Sequence, residues 1–319
     1  MMFGSNTLGN GWVVPADDAA ITAAAQFLHA GQIVAIPTET VYGLAADAQN
    51  ADAVARIYAA KGRPDFNPLI VHVADISAAR KLAVFNDMAE RIADAFWPGP
   101  LTLVLPLQPD APITRAVTAG LPTIAIRWSA HPVMQALLAK SGLSLAAPSA
   151  NPSGGISPTR AEHVLAGLGG AVPMILDGGP CAAGLESTIV AIRDDGWEIL
   201  RPGPVTPEDI ERVVGCKPLV AQNTTIEAPG QMSSHYAPTK PVRLNVTAPE
   251  PAEWLIGFGS ISGDYNLSAS GNLAQAAANL FDAMHHADAS AARSIAVAPI
   301  PREGIGIAIN DRLNRATVR

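Results

Sequence analysis

The feature that most limits what this chain can fold into is a long alternation of helical and strand patterns. It runs to about residue 216, where proline breaks it. Over 19–30, Ile21, Ala24, Phe27 and Leu28 fall on one side of a helix, with Asp17 placed near its N-cap and Gly31 at its stop. A short apolar strand over 32–37 follows. Asn50 is placed to cap a helix running through Ala60, which Gly62 ends. Strands are expected over 69–73, 101–107, 123–128 and 143–147, with 174–176 extended; helices are expected over 88–96, 131–140 and 159–168. The runs 187–192 and 197–200, joined by Asp194-Asp195-Gly196, read as a β-hairpin. Helices and strands interleave, yet several strands are joined by turns, so the expectation is an α/β fold around a mixed sheet.

The stretch 217–241 carries Pro218, Pro229, Pro238 and Pro241 among Gln, Asn, Thr and Ser. A connection of about 25 residues is long for a compact protein, which points to function or partial order. Beyond it, strands over 254–258 and 294–298 and helices over 272–286 and 307–314 make a second α/β unit. The expected division is 1–216, a linker over 217–241, and a small domain over 242–319 that leans on the first.

With 49% hydrophobic residues and 15% charged, the 319-residue chain has material for a large core. A net charge of −7 argues against a general nucleic-acid coat or a binder of anionic membranes. Cys181 and Cys216 give neither a disulfide framework nor metal-ligand spacing, and read as reduced thiols. The apolar run over 19–30 follows Asp17 and Asp18, the wrong charge for a signal peptide, and no run approaches the roughly 18 apolar residues of a membrane span. A soluble, cytoplasmic protein is expected.

Positive charge is scarce and placed, for no Lys or Arg precedes Arg56. In Lys61-Gly62-Arg63-Pro64-Asp65-Phe66-Asn67-Pro68, two cations sit at a helix end, two prolines stiffen the loop that carries Asn67, and a strand ending in His72 follows. One reading is an anion clamp; the other is a solvated helix end whose cations complement the dipole. His72 reads either as a ligand contact or as a satisfied histidine at a strand end. Thr38-Glu39-Thr40-Val41-Tyr42-Gly43-Leu44 follows a strand, where α/β sheets bind ligands; it is either a substrate contact or a capping turn. Alternation puts Thr123, Ala125 and Arg127 on one strand face, and an Arg there needs an anion, either a carboxylate of the chain or one of a substrate. The loop Ala147-Pro148-Ser149-Ala150-Asn151-Pro152-Ser153-Gly154-Gly155, with Ser157 beyond it, offers hydroxyl, amide and backbone donors to phosphate but lacks a Walker A ending. Arg201 is another isolated cation at a strand end, and the linker's Ser233-Ser234-His235-Tyr236-Ala237-Pro238 is odd for a passive spacer. No Asp/Glu/His cluster points to a protein-built metal site, and no nucleophile elbow points to a covalent intermediate. The inventory suits positioning and charge neutralisation around phosphate and carboxylate.

In this order, these segments resemble the YrdC-like family, and specifically its longer, two-domain L-threonylcarbamoyladenylate synthases. The resemblance also covers Trp97–Leu103, Glu186–Val190, Leu200–Gly203, Ser234–Pro238 and the Gly304–Arg315 run with Asn310-Asp311-Arg312. It implies an open α/β twist around a mixed sheet followed by a small Rossmann-like domain. It implies a nucleotidyltransferase that condenses L-threonine, bicarbonate and ATP to threonylcarbamoyl-AMP and pyrophosphate, for the threonylcarbamoyl-adenosine modification of tRNA by separate transferase proteins. Carried across, Thr40, His72, Arg127 and Ser187 surround threonine, with Ala147 and Tyr42 near. Lys61, Arg63, Asn67, Thr123, Ser149, Asn151, Ser157 and Arg201 hold the nucleotide, Lys61 and Arg63 being the catalytic cations, and Tyr236 closes over the site as part of a lid. Magnesium is held mainly by the triphosphate, with no protein side-chain ligand. One departure is Ala45-Ala46-Asp47 after Leu44, where a second glycine is expected. The rival readings are a double-stranded RNA-binding module of the same fold, disfavoured by the charge of −7, and a module using carbamoyl phosphate.

Overall fold

The computed structural model describes residues 12–220, 227–230 and 235–318. The linker's Ser233 and Ser234 lie outside the described residues. In chain order the elements begin β1 (Trp12–Pro15), α1 (Asp18–His29), β2 (Val34–Ile36), β3 (Gly43–Asp47), α2 (Ala51–Lys61), β4 (Ile70–His72), α3 (Ile76–Leu82) and α4 (Asp87–Phe96). They continue with β5 (Leu101–Pro106), α5 (Arg115–Thr118), β6 (Thr123–Arg127), α6 (Pro132–Ser141), β7 (Leu145–Ala146), α7 (Ala161–Leu168), β8 (Met174–Asp177), β9 (Thr188–Arg193), β10 (Gly196–Arg201) and α8 (Pro207–Val214). After the linker come β11 (Val242–Arg243), β12 (Glu253–Gly257), β13 (Tyr265–Asn266), α9 (Leu273–Ala289), β14 (Ser294–Val297) and α10 (Gly306–Ala316).

The first ten strands form one sheet in the order β1-β8-β2-β3-β7-β4-β6-β5-β9-β10. It is mixed, as expected: β4 and β6 run parallel, while β2–β3 and β5–β6 are antiparallel. Strand alternation divides the apolar residues between two layers. Val34 and Ile36 of β2 pack with Leu28 of α1 and Leu137 of α6. Ala35, between them, joins a larger core with Val54 and Ile57 of α2, Ile92 of α4 and Val164 of α7. Helices therefore cover both faces of the sheet, which buries most strands on both sides.

The second sheet has the order β11-β14-β12-β13, with all three pairings parallel. It packs with α9 and α10 around Phe281, Met284, Ile295 and Ile309. That core also takes in Val41, Leu185 and Tyr236, so the second unit leans on the first through shared apolar burial. The approach is close. A Cβ at Gly184 would lie 2.4 Å from the backbone of Ala278 in α9.

Several elements differ from expectation. β3 starts inside the 38–44 motif and runs to Asp47, where no strand was expected, and Ala45 and Ala46, where a second glycine was expected, are fully buried strand residues. β1, α3, α5, α8, β11 and β13 appear only in the fold, α8 with a capping box between Thr206 and Asp209. The 159–168 helix starts later, at Ala161, because Pro158 and Thr159 belong to the loop that carries Ser157.

Candidate active site

Segments that follow or end three strands meet at one place, two of them, β4 and β6, being parallel neighbours. β2 leads into Thr38 and Thr40, β4 ends at His72, and β6 ends at Arg127; His72 and Arg127 are register partners on adjacent strands. Carboxyl ends of neighbouring strands are where an open α/β sheet leaves a crevice. Here the crevice is lined by Thr38, Thr40, Val41, Gly43, Arg63, Ile70, His72, Arg127, Ala147 to Ser149, Glu186, Ser187, Arg201, Pro229, Gly230, His235 and Tyr236. Its volume is about 40 Å³.

Arg127 is 3% exposed and held by two hydrogen bonds and an ion pair. Its Nη1 donates to Thr40 Oγ1 at 2.8 Å, its Nε donates to Gly99 O at 3.2 Å, and its Nη2 lies 2.7 Å from Glu39 Oε1. The anion that the buried arginine needs is thus supplied by the chain. Glu39 also accepts from the Ser129 hydroxyl and from Ala130 N. Burial pushes the Glu39 carboxyl up, but Arg127 and the Ser129 hydrogen bond outweigh it and hold it at about 2. The result is a neutral pair that presents guanidinium, Thr40 hydroxyl and an uncharged imidazole to the crevice. His72 is buried and is held down to about 3, chiefly by desolvation and then by Arg127.

A second group of cations lies alongside. Lys61, the last residue of α2, is kept inside because its Nζ donates to Ser149 O at 2.6 Å and Asn151 O at 2.5 Å. Gly62 allows this turn, adopting φ 58 as the helix ends. Arg63 donates to Asn67 O and Pro68 O, at 3.2 and 2.9 Å. Arg201, at the end of β10, donates to Ser187 O, Ser187 Oγ and Pro229 O. Among the described residues none of these three has a carboxylate partner. Desolvation, then Arg63, lowers the Lys61 pKa well below its ordinary value, and desolvation lowers Arg63 to about 10. A buried cluster of like charge with no carboxylate in direct ion-pair contact gains from an anion.

Asn67, Asn151 and Ser157 are buried beside the crevice rather than in its wall. Asn151 Nδ2 holds Pro152 O and Gly155 O, which fixes the glycine-rich loop; Ser157 Oγ donates to Glu186. Two expected site residues are elsewhere. Tyr42 turns away from the crevice between Val41 and Gly43, which line it, because extended chain alternates its side chains. Its hydroxyl donates to Gly179 O at 2.8 Å, inside the core. Thr123 shares a face with Arg127 but lies at the other end of β6, about 13 Å away at the usual strand rise. There it lines a groove with Arg193, Asp194 and Glu198.

The linker completes the wall. Tyr236 is 1% exposed at φ 64, a strained backbone for a bulky residue, and Ala237 N donates to Gly154 O at 2.8 Å. Gly230 must be glycine-small, since a Cβ there would lie 2.8 Å from Arg201 Cδ and 2.9 Å from Tyr236 Oη. Glu39, Glu186, Ser129 and Arg312 were not singled out from sequence. The only signal for the two glutamates was an acid immediately before Thr40 and before Ser187.

The buried imidazoles make acid stability a test of this packing. His72 and His235 are each lowered from 6.5 to about 3, so below 6.5 the unfolded chain binds protons that the folded one does not. Stability is expected to fall as pH drops from 6.5, by up to roughly 1.4 kcal/mol per unit for each imidazole. Glu39 adds a further loss as pH falls from 4.5 through about 2. Urea midpoints measured against pH check this; midpoints constant down to about pH 5 would refute it.

Among the described residues no helix is long and apolar enough to cross a membrane, and no three His, Cys, Asp or Glu converge to hold a metal ion. Residues 26–203 match the Sua5/YciO/YrdC family, described as Telomere recombination, and residues 205–318 match the threonylcarbamoyl-AMP synthase C-terminal domain. The chain is 44% identical to the threonylcarbamoyl-AMP synthase of Bacillus subtilis, over 94% of this chain and 93% of that one. It is 39% identical to the threonylcarbamoyl-AMP synthase of Pyrococcus abyssi, over 93% and 94%. The solved structure of P. abyssi Sua5 complexed with L-threonine superposes with a TM-score of 0.87 at 36% identity, covering 96% of each chain.

Proposed function

The chain belongs to the Sua5/YciO/YrdC family, and from that premise we infer that it is an L-threonylcarbamoyladenylate synthase, an enzyme of the nucleotidyltransferase type. Its substrates are L-threonine and ATP, with bicarbonate as the third. The amine of threonine adds to the carbon of bicarbonate with loss of water, giving a carbamate. A carbamate oxygen then attacks the α-phosphorus of ATP, and the bond to the bridging oxygen breaks to release pyrophosphate. The nucleophile is already anionic, so no strong side-chain base is required, and catalysis reduces to positioning and charge neutralisation.

The observation that carries this reading is the set of charges at one crevice: Arg127, neutralised by Glu39, beside Arg63 and Arg201, which have no carboxylate in ion-pair contact among the described residues, with Lys61 buried behind Ser149. In it, Arg127 receives the threonine carboxylate with Thr40, His72, Ala147 and Ser187 around the amino acid. Lys61, Arg63 and Arg201 receive the triphosphate, with Ser149 beside them and Asn67, Asn151 and Ser157 supporting the walls. Glu186 of the crevice wall is held by Arg312, and Glu39, outside that wall, by Arg127. Magnesium in this reading arrives on the phosphates. The division into 1–216, a lid over 217–241 and 242–319 belongs to the same reading, as do work in the cytoplasm and transfer of the adenylate to the proteins that modify tRNA. Duplex RNA binding is not favoured, since the crevice cations are buried and a phosphate backbone needs exposed ones.

The test is pyrophosphate release by the purified chain. Release is expected only when ATP, L-threonine and bicarbonate are all present, and more with threonine than with serine. Release that ignores threonine, or none in any combination, would sink the assignment.

A further inference from the structure

One side chain of the second domain pairs with a carboxylate of the crevice wall. Arg312 of α10 is fully buried, and its Nε donates to Glu186 Oε2 at 2.8 Å across 126 residues of sequence. Its Nη1 donates to Asp311 Oδ2 at 2.8 Å, and its guanidinium carbon lies 5.1 Å from the centre of the Tyr236 ring. The other carboxylate oxygen of Glu186 accepts from Ser157. Glu186 is thereby tied on both sides, yet it lines the same crevice as Arg63 and Arg201. Arg201 has only neutral acceptors, Ser187 O, Ser187 Oγ and Pro229 O, and Ser187 is the residue next to Glu186.

We propose that Arg312 is a positioning residue for nucleotide binding: it holds the Glu186 carboxylate so that this charge neither pairs with Arg201 nor repels a triphosphate. Without Arg312 the carboxylate is a buried anion with no matched cation except those of the crevice. It then turns to Arg201 and Arg63 or faces the phosphates, and either outcome weakens ATP binding. The second domain thus contributes a counter-charge to the site rather than a separate activity. Glu186 is the intermediary, so the effect must disappear when Glu186 is neutral.

This inference rests on the reading of the crevice as an ATP site. The experiment is calorimetric titration of full-length protein with ATP and, separately, with L-threonine, using wild type, Arg312→Met, Arg312→Lys and the double variant Glu186→Gln/Arg312→Met. Arg312→Met is expected to weaken ATP at least about tenfold, while threonine affinity stays within about threefold. Arg312→Lys, which keeps a cation beside Glu186, and the double variant, which removes both charges, are expected within about threefold of wild type for ATP. Thermal melts accompany each titration. If Arg312→Met does not fold, the double variant still decides, because ATP binding lost in a folded double variant overturns the proposal. Equal ATP affinity in wild type and Arg312→Met overturns it too, as does a loss that Glu186→Gln leaves unrelieved, which is the signature of a merely structural arginine. A wild type that binds no ATP overturns the synthase reading, and this inference with it.

Discussion

Replacing Arg127 with alanine is expected to abolish threonine-dependent pyrophosphate release and to destabilise the fold at the same time. Both effects follow from one guanidinium. It holds Thr40, Gly99 O and Glu39, and offers its charge to the amino-acid carboxylate in the reaction. Deleting one member of a buried pair leaves the other uncompensated, which costs about 3–5 kcal/mol. Losing a charge-assisted contact to substrate costs about 1.5–3 kcal/mol more in binding, so kcat/KM for threonine should fall by a further factor of about 10 to 160. The two losses can be separated. A Glu39→Gln/Arg127→Met pair removes both charges, and its thermal stability should return most of the way while kcat/KM for threonine stays lowered. If the pair recovers turnover as well, Arg127 acts on the fold alone and the carboxylate contact is wrong.

Lys61→Met is expected to have the opposite profile, with stability kept and nucleotide handling lost. The ammonium is buried with two carbonyls and no carboxylate, and desolvation works against its charge. A methionine of similar length removes that burden while leaving Ser149 O and Asn151 O without their donor, two effects that offset one another. The melting temperature should therefore change little. Adenylation should fall by about 10²–10³, the usual loss for one buried donor aimed at developing negative charge.

What was legible in the sequence was whatever depended on neighbours along the chain. Asn50 and Gly62 bracket α2 as expected, Asn50 accepting from Asp52 N and Ala53 N and Gly62 taking the left-handed turn. The 187–200 hairpin follows from its Asp-Asp-Gly turn and pairs as β9 with β10. Most of the crevice was also readable, because its residues stand in short runs at strand ends. What could not be read was pairing across distance. Glu39 with Arg127 and Glu186 with Arg312 join segments that nothing local relates, and each neutralises a charge that sequence reasoning assigned to substrate or left aside. Tyr42 and Thr123 failed for a geometric reason: a motif fixes which residues are adjacent, not which face or which end of a strand they occupy. β3 was missed because Leu44-Ala45-Ala46 shows no alternation when both faces are buried.

The narrowness of the crevice has a kinetic consequence. About 40 Å³ accepts a few water molecules and no nucleotide, and the strained Tyr236 belongs to the wall that fills the space. A ligand the size of ATP must then wait for that wall to withdraw. Its observed association rate should rise with concentration and level off at the rate of withdrawal, identical for every nucleotide tried. The dissociation constant measured at equilibrium is larger than the intrinsic one by the inverse of the fraction open. Substitutions that merely loosen the linker would thus tighten nucleotide binding without adding a single contact.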